Sequence, residues 1–280
     1  MNSFYIITNQ EKDLGFAVTE QIREYLTSRG KTCTVQGETP ADDAPHGYRY
    51  TDAGRLPGDV DCVLVLGGDG TLLQASRDLV STGLPLLGIN LGTLGYLAEI
   101  DRGSLTGALD RLVSGQFDIE ERMMLRGVAS DAGARTMNDV ALNDIVIARS
   151  GALGVIDLKL YVDGSFLCAY RADGIIVSTP TGSTGYSLSA GGPVVSPSAS
   201  LILLTPLAPH TLNSRPLILP DDVEVTVEIA GGEAAVTFDG DTGMPVGPGS
   251  RIRIRRSAQR TRLIKVNNTS FVELLRSKMN

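Results

Sequence analysis

An apolar, β-prone run, Asp61-Cys62-Val63-Leu64-Val65-Leu66, breaks off in Gly67-Gly68-Asp69-Gly70, and from Thr71 the apolar residues Leu72, Leu73, Ala75, Leu79 and Val80 recur at helical spacing. A strand apolar on both faces, followed by a tight turn and a helix, belongs in a parallel sheet covered by helices. The chain opens with the same grammar. Residues 3–8 read as a strand, and residues 13–29 as an amphipathic helix with Leu14, Ala17, Val18, Ile22, Tyr25 and Leu26 on one face. Gly30 supplies the stop and residues 31–36 a second strand. This βαβ unit implies a doubly wound domain. Residues 85–90 form another strand, leading into a glycine-rich loop. Residues 37–59 carry Pro, Gly, Asp and Tyr without a period and are longer than a structural connection needs, which fits a mobile functional loop or simple disorder.

After about Phe117 the period changes from helical to alternating. Ile156, Leu158, Leu160 and Val162 face one way and Asp157, Lys159 and Tyr161 the other, and Asp163-Gly164 is a hairpin signal. Val223, Val225, Val227 and Ile229 repeat the pattern, as do Ile252 and Ile254 between arginines. The expected partition is an α/β domain over residues 1–118 and a mainly β domain over 119–269. Ser270-Phe271-Val272-Glu273 has capping-box spacing and opens a last helix, 270–280.

Charge and cysteine usage exclude several classes. The net charge of −7 opposes a general grip on a phosphate backbone, which needs many Lys and Arg contacts. No apolar run approaches the roughly 18 residues a spanning helix needs, so a soluble, cytoplasmic protein is expected, with neither nucleic-acid nor membrane partner. Cys33, Cys62 and Cys168 stand apart in apolar stretches and read as free thiols. His46 and His210 lack a second His at ligand spacing, and no metal-ligand set is expected. Ser183 lacks the G-x-S-x-G elbow of a hydrolase. The arginines 251, 253, 255, 256, 260 and 262 read as the solvated face of an edge hairpin.

Three segments carry polar chemistry. In Gly67-Gly68-Asp69-Gly70-Thr71, glycines let backbone N–H groups approach a phosphate at a helix N-terminus. Asp69 is out of place in a plain anion nest, since a carboxylate repels phosphate unless it holds Mg²⁺ or takes a proton from an attacking hydroxyl. The competing reading is a tight turn with Asp69 as a cap. No Lys follows the turn, which excludes a Walker A loop. Arg171-Ala172-Asp173-Gly174 leads through an apolar strand into Ser178-Thr179-Pro180-Thr181-Gly182-Ser183-Thr184-Gly185-Tyr186-Ser187-Leu188-Ser189-Ala190-Gly191-Gly192-Pro193, which can wrap a polar ligand or lie as a surface loop. Asn143-Asp144 interrupts a strand-like run; its short polar side chains could receive ribose hydroxyls or mark a bulge.

Together these segments, with Asn90-Leu91-Gly92-Thr93-Leu94-Gly95-Tyr96-Leu97 and the stretch 205–217, resemble the NAD kinase family over most of residues 60–220. The GGDGT turn is shared with other kinases, whereas the segment 179–193 singles out NAD kinases. The resemblance implies an N-terminal α/β domain and a β-sandwich-like C-terminal domain, with the last helix packing back on the first domain and the site at their junction. It implies transfer of the ATP γ-phosphate to the adenosine 2′-hydroxyl of NAD, with Asp69 taking the hydroxyl proton and Gly68 and Gly70 admitting phosphate. The dinucleotide contacts would come from Tyr96, Asn143, Asp144, Arg171, Asp173, Thr181, Thr184, Gly185, Tyr186, Ser187, Leu188 and Ser189. Mg²⁺ is expected to arrive with ATP, because the motifs offer isolated carboxylates and no cage. A homodimer or homotetramer is implied as well. Departures are Asp144 where Glu is frequent, Gly185 where Ala is common, and Asp239-Gly240-Asp241, which aligns only loosely and is left out of the site. The alternatives are a lipid or sugar kinase using the same turn, or a non-catalytic dinucleotide sensor. ATP versus polyphosphate as donor and NAD versus NADH as acceptor stay open.

Overall fold

The computed structural model describes residues 1–37, 50–92, 95–98, 100–131, 136–151, 154–210, 214–241, 243–267 and 269–279. His46 and most of the irregular stretch 37–59 lie outside the described residues. The chain divides into two compact units, Met1–Glu121 with Gln259–Asn280, and Arg122–Ala258. No helix among the described residues is long and apolar enough to cross a membrane.

In chain order the first unit contains β1 (Ser3–Thr8), α1 (Ala17–Ser28), β2 (Thr32–Val35), β3 (Cys62–Gly67), α2 (Asp69–Leu79), β4 (Leu86–Asn90) and α3 (Leu105–Ser114). β5 (Asp118–Ser130) then leads into the second unit. The strands pair in parallel in the order β2-β1-β3-β4. β3 is buried along its whole length, as a strand covered on both faces must be. On one face Phe4, Ile6, Leu64 and Leu66 pack with Val18, Ile22 and Leu26 of α1 and Leu105, Leu109 and Leu112 of α3.

Three local findings differ from the sequence reading. Leu14 is 78% exposed rather than on the core face of α1, because Gly15 and Phe16 adopt left-handed φ of 66° and 58° and start the helix only at Ala17. Asp13 caps that helix through the Val18 and Thr19 N–H groups at 2.9 and 3.0 Å. Helix α3 was not read from the sequence, as its ten residues carry only a short apolar stripe between loops.

The second unit holds β6 (Thr136–Ala141), β7 (Asp144–Arg149), β8 (Ile156–Val162), β9 (Ser165–Ala172), β10 (Gly174–Ser178), the short helix α4 (Tyr186–Ser189), β11 (Leu201–Leu207), β12 (Leu217–Pro220), β13 (Val225–Gly231), β14 (Ala234–Phe238) and β15 (Met244–Val246). One antiparallel sheet runs β12-β11-β10-β7-β14-β15. β9, β8 and β13 form a second antiparallel run. The hairpin between β8 and β9 turns at Asp163-Gly164, with φ of 48° and 78°.

β16 (Arg251–Lys265) begins in the second unit beside β13 and ends in the first beside β4. It is an interior strand, which corrects the edge-hairpin reading of its arginines. Their alternation reflects cross-strand and loop partners: Arg251 meets Glu228 at 2.9 Å, Arg260 meets Glu121 at 3.5 Å, and Arg256 pairs with Asp221. α5 (Phe271–Met279) is opened by the Ser270 and Glu273 box, with N–H bonds of 2.8 and 3.2 Å in the two directions.

Candidate functional site

β3 stops at Gly67 because the chain there passes against the Thr71 side chain, where a Cβ has no room. Gly68 is the extended cap residue of α2 and Asp69 its first residue, so Asp69 is not the capping side chain of its own helix. Its carboxylate instead accepts three backbone N–H bonds from the loop after β4. Tyr96 donates to Oδ2 at 2.7 Å, and Leu97 and Ala98 to Oδ1 at 3.2 and 3.1 Å. Gly95 is required beside it, since a side chain there would overlap the carboxylate itself. A carboxylate offers about four lone pairs. Oδ1 has both engaged, and Oδ2 keeps one. The Tyr96 ring stacks under the Lys278 ammonium, 5.7 Å from its centroid. Beside Gly70 and Thr71 opens a cavity of about 530 Å³, walled by Thr8, Asn9, Gln36, Thr51 and Gln74.

In the second unit the polar residues converge on the start of β7. Asp144 is its first residue, opposite Ser178 at the end of β10. The segment after β10 clamps this corner: Thr179 N–H donates to the Asn143 carbonyl at 2.8 Å and Thr179 Oγ1 to the Leu142 carbonyl at 2.6 Å. Gly182 lies so close that a Cβ would sit 2.8 Å from the Asn143 Cα. From the other side Asp239 accepts from the N–H groups of Leu142, Asn143 and Asp144 at 2.8, 2.7 and 3.0 Å. Asp239 holds this position with a left-handed φ of 52°. The sequence reading set Asp239 aside, yet it organises the Asn143-Asp144 corner. Its signal was the Asp239-Gly240 turn closing an alternating strand.

Asn143, Asp144, Tyr186, Thr237, Asp239 and Gly240 wall a cavity of about 320 Å³. Asp144 is only 4% exposed. Burial, and then the neighbouring Asp239 carboxylate, push its carboxyl up to about 7. The Asn143 Oδ1 is buried without a hydrogen-bond partner, an acceptor that a ligand hydroxyl or amine can satisfy. An adjoining cavity of about 520 Å³ is walled by Arg149, Asp173, Tyr186, Ser189 and Leu207. Arg149 donates from Nε to Asp173 at 3.0 Å.

The serine and threonine segment is less available than its composition suggested. Thr181 is buried and accepts from Arg122 at 3.3 Å, Thr184 bonds the Thr181 carbonyl at 3.2 Å, and Ser187 is fully buried against Thr205 at 2.9 Å. These hydroxyls shape the segment from within. Tyr186 and Leu188 are exposed, Ser189 reaches a cavity wall, and Gly185 lies against Asn143. An alanine Cβ at Gly185 would stand 3.3 Å from Asn143 Nδ2, so the glycine leaves slightly more room at the corner. Arg171 lines neither cavity; its exposed guanidinium lies 3.9 Å from Asp157.

Among the described residues no group of three or more His, Cys, Asp or Glu could hold a metal ion. A single carboxylate suits Mg²⁺ carried on phosphates, because that ion keeps most of its waters and takes one or two protein carboxylates.

Comparison with known proteins matches residues 5–117 to the ATP-NAD kinase N-terminal domain and residues 142–266 to the ATP-NAD kinase C-terminal domain. A NAD kinase of Lachnospira eligens is 42% identical, covering 100% of both chains. One of Agathobacter rectalis is 43% identical over 100% of this chain and 99% of its own. Among solved structures, yeast NADH kinase complexed with NADH superposes with a TM-score of 0.84 at 25% identity, covering 100% of this chain and 87% of that one. An NAD kinase from Archaeoglobus fulgidus in complex with ATP gives 0.76 at 25% identity, covering 99% and 98%.

Proposed function

The chain belongs to the NAD kinase family, and we propose that it transfers the γ-phosphoryl group of ATP to the 2′-hydroxyl of the adenosine ribose of NAD, making NADP. The observation that carries the chemistry is Asp69, a carboxylate at a glycine turn and helix N-terminus, fixed by three N–H bonds with one lone pair of Oδ2 left over. A pure sensor has no use for such a base beside a phosphate turn.

In this reading Oδ2 of Asp69 takes the proton of the 2′-hydroxyl while that oxygen attacks the γ-phosphorus. The bond between the γ-phosphorus and the β–γ bridging oxygen breaks, and ADP leaves with its electron pair. Oδ1, saturated by two N–H groups, fixes the carboxylate plane and leaves the proton to its partner. The backbone at Gly68 and Gly70 admits the phosphates. Mg²⁺ would be held on the donor's phosphates and would supply charge neutralisation there, leaving the free lone pair of Asp69 Oδ2 for the proton. Asn143 and Asp144 receive the dinucleotide's hydroxyls and amine, with Tyr186, Asp173 and Ser189 around the adenosine and Tyr96 along its length. We assign Thr181, Thr184, Ser187 and Asp239 to holding that shape, and Arg171 to a peripheral role. The reading also carries a cytoplasmic homo-oligomer, which sedimentation and cell fractionation test.

The deciding experiment is a coupled assay of NADP formation with purified protein, NAD, ATP and Mg²⁺. NADP formed in step with ADP is the expected result. Phosphorylation of a lipid or sugar in place of NAD would overturn it.

A further inference from the structure

The GGDGT turn lacks the lysine that a Walker A loop carries within its own sequence, and the fold brings one from elsewhere. Asn9, just after β1, accepts the Glu11 and Lys12 N–H groups on its Oδ1 at 3.1 and 3.2 Å, and the Lys12 and Asp13 N–H groups on its carbonyl at 3.0 and 2.9 Å. Its own N–H is tied to the Leu66 carbonyl of β3 at 2.8 Å. Arg102 donates to the Lys12 carbonyl at 3.3 Å. The loop is therefore held at both edges, and it carries the Lys12 side chain across the turn. Nζ stands 3.0 Å from where a Cβ of Gly68 would be and 3.9 Å from where one of Gly92 would be. Gly68 and Gly92 carry no side chain to separate the ammonium from the backbone. Among the described residues no carboxylate lies within ion-pair distance of Lys12, although Glu11 precedes it and Asp69 follows Gly68.

Resting on the phosphotransferase reading, we propose that Lys12 grips the donor's phosphate chain, doing from the β1 loop what a P-loop lysine does from within its turn. The protein carries a net charge of −7, so its long-range field repels a polyanionic donor and the attraction has to come from cations placed at the turn. The cavity beside it, walled by Asn9, Glu11, Gly70 and Thr71, gives that donor a place to lie. A lysine serves here as a mobile point charge with three donors rather than a planar fork.

The test compares Lys12→Met, Lys12→Arg and, as a control for a lost surface charge, Lys159→Met, in steady-state NADP formation with ATP or inorganic polyphosphate as donor. Lys12→Met is expected to lower kcat/KM for whichever donor supports turnover by about tenfold to a hundredfold, the value of a charge-assisted hydrogen bond. Lys12→Arg should recover most of that. NAD affinity measured by calorimetry without donor should stay within about twofold, and Lys159→Met should change none of these. Retention of kcat/KM for the donor within about twofold in Lys12→Met overturns the inference, as does an equal loss of NAD affinity, which would mark a merely structural lysine. If the wild-type protein forms no NADP, the underlying reading has failed instead.

Discussion

Replacing Asp144 by asparagine should remove a pH dependence built into the second unit. Its carboxyl is pushed up to about 7 by burial and by Asp239, whereas a carboxyl in an unfolded chain titrates near ~3.9. Below about pH 4 both states hold the proton, and the group is neutral toward stability. Between about pH 4 and 7 the folded state keeps a proton that the unfolded state has lost, so each unit of pH removes about 1.4 kcal/mol of stability. The loss is complete above pH 7. Three units give about 4 kcal/mol, an upper bound because the surroundings relax around the charge. Asparagine has no proton to lose. Asp144→Asn should therefore come within about 1 kcal/mol of the wild type at pH 4.5 and exceed it by about 2 to 4 kcal/mol at pH 8. Urea unfolding followed by circular dichroism at pH 4.5, 6, 7 and 8 reads this directly. Wild-type and variant curves that stay parallel across the series would refute the argument. The same titration reaches function. A ribose hydroxyl that donates to Asp144 favours its ionised form, so the KM for NAD should fall from pH 6 to pH 8 in the wild type and stay flat in Asp144→Asn.

Asp69→Asn should lower turnover by about 10²- to 10⁴-fold with NAD affinity within a few fold, since the amide cannot take the proton; turnover within tenfold of wild type in the coupled assay would sink the base assignment. Gly95→Ala should be as damaging, because the new methyl group would occupy the space of the Asp69 carboxylate, while Gly107→Ala, which meets open space in α3, should raise stability by about 0.4 to 1 kcal/mol. Asp239→Asn should cost about 1 to 3 kcal/mol in stability, because the amide turns an N–H toward backbone N–H groups, and should raise the KM for NAD more than it lowers kcat; an unchanged KM would show that the corner does not depend on it. Asp144→Ala should abolish the preference for NAD over its adenosine-3′-deoxy analogue, read as a ratio of kcat/KM values.

The residues legible in the sequence are those whose type is odd for its place. Asp69 among glycines, Asn143-Asp144 inside an apolar run, and a long hydroxyl-rich segment after a buried strand each break a local rule, and a broken rule marks a functional place. The strands with unmixed apolar periods were legible, namely β1 to β4 in the first unit and β8, β13 and the start of β16 beyond it, whereas β5, β6, β9, β11, β12, β14 and β15 carry no such unbroken period and were not read. What escaped were residues whose role depends on contacts distant in sequence. Lys12 is an ordinary lysine in an ordinary loop until β1 and β3 pair and carry it over Gly68. Asp239 is a turn residue until β14 pairs with β7 and brings its carboxylate under three N–H groups 95 to 97 positions away. Thr181 and Ser187 were expected at the dinucleotide from the family resemblance, which names residues and not the direction of their side chains; both side chains are buried, Ser187 against Thr205. The two acids on which the reading depends, Asp69 and Asp239, share one device: a carboxylate saturating consecutive backbone N–H groups of a neighbouring loop. At Asp69 the loop holds the acid and leaves one lone pair free for chemistry. At Asp239 the acid holds the loop, and in the proposed mechanism that loop presents Asn143 and Asp144 to the dinucleotide.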